Sequence, residues 1–188
     1  WEEELNRFDP SLKVVTFVGA PGERRKLLSQ KKSVDVFVTS YGLVQRDLEH
    51  FEAMSFSYVI LDEAQAIKNR DTQNARSVKR LNAFHRLVLT GTPVENSLED
   101  LWSLFDFLMP GFLGSHDRFV QTYMRPYGIA ADKALEVLRK RIAPFVLRRM
   151  KQDVLDDLPP ISHIVYHCYL HDEQQKMYQT AARKAKEQ

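Results

Sequence analysis

Four short apolar runs, Val14–Val18, Val34–Thr39, Tyr58–Leu61 and Arg86–Thr90, punctuate the first half of the chain and limit what it can fold into. Continuous apolar, β-branched runs of this length read as strands buried on both faces, the situation of a parallel sheet. Between them, Glu23–Gln30, Gly42–Glu49 and Asn74–Leu81 carry leucines and charges at helical spacing. The β-α-β-α order predicts an α/β domain, a parallel sheet with crossover helices on both faces. After Pro93 the texture changes, because Leu98, Leu101, Trp102, Leu104, Phe105 and Leu108 fall on one helical stripe and no strand pattern follows for some fifty residues. That stripe reads as core rather than as a base-stacking platform. Further helices are expected over His116–Tyr123 and Asp132–Arg141, with Gly111, Gly114, Pro126 and Gly128 as breakers. Beyond Pro159-Pro160, Ile161–Leu170 alternates as a strand does and Asp172–Lys186 reads as a polar helix.

With 188 residues, 44% of them hydrophobic, the chain can bury a real core. No apolar run approaches the ~20 residues needed to cross a bilayer, so no membrane partner is expected. The opening Trp1-Glu2-Glu3-Glu4-Leu5 has neither the basic start nor the apolar stretch of a signal peptide, and the chain is expected to begin inside a longer protein. The single cysteine, Cys168, cannot form an internal disulfide, which suits a reducing compartment. A formal charge of +2 is mild, so any affinity for nucleic acid must come from a local arrangement of charge.

Asp62-Glu63-Ala64-Gln65 follows the apolar run Tyr58–Leu61 directly, at the carboxyl edge where an open α/β sheet binds its ligand. Adjacent carboxylates there have a chemical use. Asp62 is the candidate Mg²⁺ residue, acting through water, and Glu63 the candidate that orients and polarises the water attacking a γ-phosphate. A solvated acidic pair closing a strand is the plainer alternative. Leu89-Thr90-Gly91-Thr92-Pro93 follows the next strand and should emerge at the same edge, where Thr90 and Thr92 could bond Gln65 or Glu63. The same segment also suits an ordinary strand-to-helix turn, with Asn96 or Ser97 capping the helix beyond.

Taken in order, Asp-Glu-Ala-Gln, Ile67-Lys68-Asn69, Leu-Thr-Gly-Thr-Pro, Glu95-Asn96-Ser97 and Leu101-Trp102-Ser103-Leu104 resemble motifs II and III of the SNF2 family within helicase superfamily 2. Val38-Thr39-Ser40-Tyr41 resembles the family's DNA-backbone segment, Phe17 through Arg25 an earlier one, and Phe145–Val154 the stretch that closes its helical insertion. The resemblance covers nearly the whole chain. Glu95 stands where Gln is common and Ala66 where Arg often appears, which leaves the subfamily open.

The resemblance implies a partial first RecA-like lobe over 1–109, a helical insertion over 110–155, and a return strand with the connection to lobe two over 156–188. It implies ATP and Mg²⁺ as cofactors, double-stranded DNA and a DNA-bound protein target as partners, and phosphate contacts from Thr39, Ser40, Tyr41 and Arg25. The activity expected is DNA-dependent ATP hydrolysis that drives translocation along DNA and remodelling of protein–DNA complexes. A catalytically dead lobe serving as a docking module, or another superfamily 2 helicase, is the alternative. No Gly-x-x-x-x-Gly-Lys-Ser/Thr occurs in the sequence. The phosphate cradle is therefore expected upstream of Trp1, the second RecA-like lobe with its arginine finger downstream of Gln188, and the fragment alone is expected to be inactive. The wording around Asp62 is familiar from bacterial members, so the expected location is the cytoplasm, beside the nucleoid, if bacterial, and the nucleus if eukaryotic.

His163, His167 and His171 recur at intervals of four, but on a strand such residues lie roughly 13 Å apart and cannot share one ion. Arg24-Arg25-Lys26 and Lys31-Lys32 could meet phosphate or form a solvated helix face, Arg25 being the better candidate. Arg148, Arg149 and Lys151 could pair with Asp153, Asp156 and Asp157 or lie near the lobe interface.

Overall fold

Two separate two-stranded parallel sheets form among the described residues, the first from valine-rich strands. β1 (Val14–Thr16) lies parallel to β2 (Val36–Val38) in the register Val14 to Val36 and Thr16 to Val38. β3 (Ser55–Leu61) lies parallel to β4 (Asn82–Val88), from Ser55 opposite Asn82 to Leu61 opposite Val88. This computed structural model describes residues 1–91, 97–149, 165–166 and 171–186, and the chain divides into two units, Trp1–Pro144 and Phe145–Gln188.

β3 and β4 both begin earlier than their apolar runs, because ladder pairing rather than hydrophobicity sets their amino ends. The Asn82 side chain donates to Ser55 Oγ at 3.0 Å at the start of that ladder. Between β2 and β3 runs a cleft of about 920 Å³, lined by consecutive residues 34–41 of one strand segment and 53–62 of the other. Lining by consecutive rather than alternate residues means that the cleft follows the strand edges.

α1 (Glu2–Phe8) precedes β1 and was not expected from the sequence, since it buries no residue and so carries no apolar stripe. Glu2, Glu3 and Glu4 in its first turn and Arg7 in its last suit the helix dipole. α2 (Pro21–Ser29) follows β1, and the stretch expected as one helix over Gly42–Glu49 is two, α3 (Tyr41–Arg46) and α4 (Leu48–Glu52). The break falls at Asp47, whose carboxylate accepts from buried Arg24 Nε at 2.6 Å. Arg24 also donates to the carbonyl of Gly19 at 2.7 Å, where φ is +100° and an added Cβ would lie 2.3 Å from Glu23 Oε2.

α5 (Gln73–Lys79) is capped by the Thr72 hydroxyl, which accepts from Ala75 N at 3.2 Å, and α6 (Leu98–Leu108) by Ser97 Oγ, which accepts from Asp100 N at 3.3 Å. α6 serves two cores. Leu104 and Phe107 join the core under the sheet with Phe17, Val44, Phe51, Leu61, Ile67 and Val78. Leu101, Trp102 and Phe105 join a second core with Leu113, Phe119, Tyr123 and Leu138. The sequence boundary at residue 109 falls just after this shared helix.

Of the helix expected over His116–Tyr123, α7 (His116–Phe119) is regular and Val120–Met124 is a π turn. The wider turn leaves both Phe119 and Tyr123 in the second core, with ring centroids 5.0 Å apart. α8 (Ile129–Ile142) closes that core through Leu138. In the second unit, α9 (Asp172–Lys186) carries Asp172 and Glu173 in its first turn. Pro159-Pro160, the strand expected over Ile161–Leu170 apart from Val165 and Tyr166, His163, His167, Cys168, Lys151 and its aspartate partners lie outside the described residues, as does the boundary at residue 155. Among the described residues no helix is long and apolar enough to cross a membrane.

Candidate functional site

Leu61, buried at the end of β3, fixes where Asp62 and Glu63 leave the sheet. The ladder continues past the strands, with Leu89 N donating to the Leu61 carbonyl at 2.8 Å and Ala64 N to the Leu89 carbonyl at 3.1 Å. Glu63, between these bonds, adopts a left-handed backbone with φ 47° and ψ 50°. Among the described residues it alone is a non-glycine with positive φ. Such a conformation costs on the order of 1–3 kcal/mol and persists only where the surroundings over-determine it. Ala64 and Ile67, fully buried in the 3₁₀ turn Ala64–Ile67 that follows, supply the anchor. The buried Ser103 hydroxyl donates to the Ile67 carbonyl at 2.7 Å and ties that turn to α6.

Both Asp62 carboxylate oxygens accept bonds, Oδ2 from the Trp1 indole N–H at 2.7 Å and Oδ1 from Glu63 N at 2.9 Å. The Gln65 amide donates to Glu63 Oε2 at 2.7 Å, and the Thr90 hydroxyl donates to Gln65 Oε1 at 3.3 Å. A carboxylate only accepts, so the Gln65 NH₂ must face Glu63 and its oxygen must face Thr90. Residues from two strand ends thus form one chain of bonds, Thr90 to Gln65 to Glu63. Thr92 lies outside the described residues.

Tyr41, read from sequence as a phosphate donor, sits elsewhere. Its hydroxyl donates to the Asp62 main-chain carbonyl at 2.7 Å. Burial, and then the negative charges of Asp62 and Glu63, push its phenol up to about 12, so it stays a protonated donor at neutral pH. A phenol has one proton, and that proton is already placed. The Thr39 hydroxyl likewise donates inward, to the Phe17 carbonyl at 3.1 Å. Ser40 is exposed at the start of α3 and makes no side-chain capping bond. Arg25 does not join this group. It is exposed on α2 and lines a separate small cleft with His50, Ala53 and Met54, the residues leading into the amino end of β3.

No group of three metal-ligating side chains occurs among the described residues. Two adjacent carboxylates do not form an all-protein cage, but they fit Mg²⁺, which keeps several waters and takes phosphate oxygens as further ligands. Sequence reasoning missed Trp1, Ser103 and the inward turn of Tyr41. Only Ser103 left a signal, a lone hydroxyl within an otherwise apolar helical stripe.

The profile of the SNF2-related domain matches residues 1–188. The TATA-binding protein-associated factor mot1 of Schizosaccharomyces pombe is 42% identical over 189 residues, covering 94% of this chain and 10% of that protein. The chromatin-remodeling ATPase INO80 of Drosophila melanogaster is 35% identical over 98% of this chain, which spans 12% of it. The Sulfolobus solfataricus SWI2/SNF2 ATPase core, solved in complex with dsDNA, superposes with a TM-score of 0.74 at 38% identity, over 98% of this chain and 38% of that one. These relatives are eukaryotic and archaeal, and they lend the bacterial option no support.

Proposed function

The chain belongs to the SNF2 family, with the RecA-like α/β fold of its ATPase core, and from that premise we propose that it forms part of the first lobe of an ATP-driven double-stranded-DNA translocase. In this layout 1–109 is the ATPase lobe, 110–155 its helical insertion, and 156–188 the return toward the second lobe. One observation carries the reading: Asp62 and Glu63 leave the sheet at its carboxyl edge with Glu63 bonded through Gln65 to Thr90.

Asp62 would hold Mg²⁺ through water, and the ion would neutralise charge developing on the β- and γ-phosphate oxygens. Glu63 would orient the attacking water through Oε1, while Gln65 holds Oε2 and keeps the side chain from swinging away. Thr90, one bond further along, would report the state of this edge to the chain beyond it, together with Thr92. Exposed Ser40 would supply a hydroxyl for the DNA backbone, and Arg25 a cation on another part of the surface. Contacts of this kind read no base sequence, which suits a motor that releases and regrips at each step.

The solved relative's complex with dsDNA supports duplex DNA as the track. The name of the S. pombe relative supports a DNA-bound protein as the thing acted on, and a nuclear location. The 188 residues contain no Gly-x-x-x-x-Gly-Lys-Ser/Thr cradle, so the chain alone is expected to turn over no ATP. The test is the ATPase rate of the full-length parent with and without duplex DNA. Stimulation by duplex supports the motor. A parent that binds ATP but stays inactive with duplex points instead to a docking module.

A further inference from the structure

The segment that offers Ser40 to solvent and the segment that carries the carboxylates are joined by one hydrogen bond. Ser40 is exposed, Tyr41 follows it as the first residue of α3, and the Tyr41 hydroxyl donates to the Asp62 carbonyl at 2.7 Å. That carbonyl belongs to the peptide that leads into Glu63, whose φ of 47° is the strained angle of the site. Because that angle is strained, the Asp62–Glu63 peptide keeps this setting only while its surroundings hold it. A bond that grips the carbonyl therefore helps to fix the direction in which the Glu63 side chain leaves the backbone.

From this geometry we propose that Tyr41 is a positioning residue which couples engagement of the DNA backbone at Ser40 to the setting of Glu63. The inference rests on the function proposed above. Phosphate drawn to Ser40 moves the first turn of α3, and the Tyr41 hydroxyl carries that movement to the Asp62–Glu63 peptide. The peptide is the element through which the two sites would be coupled. The other restraint on the peptide, Glu63 N on Asp62 Oδ1, and that on the next one, Ala64 N on the Leu89 carbonyl, come from the site itself and not from α3.

The test uses the full-length parent. In Tyr41→Phe, kcat at saturating duplex DNA falls about tenfold, the scale of one lost hydrogen bond, while the Kd for duplex and the KM for ATP stay within about twofold. Tyr41→His, which returns an N–H donor on a ring, recovers part of the stimulated rate. An unchanged kcat in Tyr41→Phe overturns the proposal. So does a weakened duplex Kd at unchanged kcat, which would make Tyr41 a phosphate contact. Equal loss in the Phe and His variants overturns it as well, because the ring rather than the donor would then matter. A wild-type parent without any stimulation by duplex removes the function proposed above and this inference with it.

Discussion

Glu63 combines the chemistry of the site with a backbone setting that glycine adopts more readily. Glu63→Gly should therefore keep the chain's unfolding stability or raise it by up to about 1 kcal/mol while abolishing hydrolysis in the parent. Denaturant melts of the parent check this, and a loss above about 1 kcal/mol would contradict it. Tyr41 adds a pH dependence. Its folded-state pKa is raised to about 12, so its contribution is fully present below the unfolded value near 10 and is lost as pH rises through 12. The hydroxyl is partly solvated, and the effect discounts to roughly 1 kcal/mol. Wild type should lose that much more stability than Tyr41→Phe between about pH 10 and 12, and parallel slopes would count against the burial of the phenol beside Asp62 and Glu63. Asp62, Glu63, Gln65 and Thr90 were legible in the sequence because strand ends gather at one sheet edge. The partners of Tyr41 and Trp1 were not. Their bonds to residue 62 cross 21 and 61 positions, and no local pattern announces such a contact.

Helix α6 is the element on which the site segment and both cores converge. Ser103, fully buried, donates to the Ile67 carbonyl and lies 3.4 Å from Lys79 Nζ, which also pairs with Asp106 at 2.8 Å. Ser103→Ala removes the donor and leaves that carbonyl unsatisfied, a cost of about 1–3 kcal/mol. Phe107→Ala should cost more, about 3–5 kcal/mol, since Phe107 is fully buried under the sheet and packs against Arg86 at 5.1 Å. Unfolding midpoints rank the two, and a reversed order would show that the tie to the carboxylate segment outweighs core volume. Helical spacing located α2, α5, α6, α8 and α9. It missed α1, which buries nothing, and it missed the division between α3 and α4, which depends on Asp47 meeting a buried arginine from another helix.

On the scale of the whole molecule, β4 packs against α6, while one face of the β3–β4 pair stays largely open. Tyr58, Ile60 and Leu87 lie on the open face and are 61%, 53% and 45% exposed. Parallel sheets are ordinarily covered on both faces, so this apolar surface should promote association. The 188-residue chain is expected to self-associate with rising concentration in sedimentation, and Ile60→Thr with Leu87→Thr to reduce it. Equal behaviour of the two forms would mean that the face is not the sticky one. The parallel α/β class was legible from apolar runs. The pairing was not, because nothing in Val36–Val38 or Ser55–Leu61 says that a cleft rather than a ladder separates them.

The central claim is that Glu63 is the catalytic carboxylate of a DNA-stimulated ATPase, and Glu63→Gln in the full-length parent tests it most directly. ATP binding should persist while the hydrolysis rate with duplex DNA falls by about 10²–10⁴-fold. A variant that keeps its DNA-stimulated rate would contradict the account.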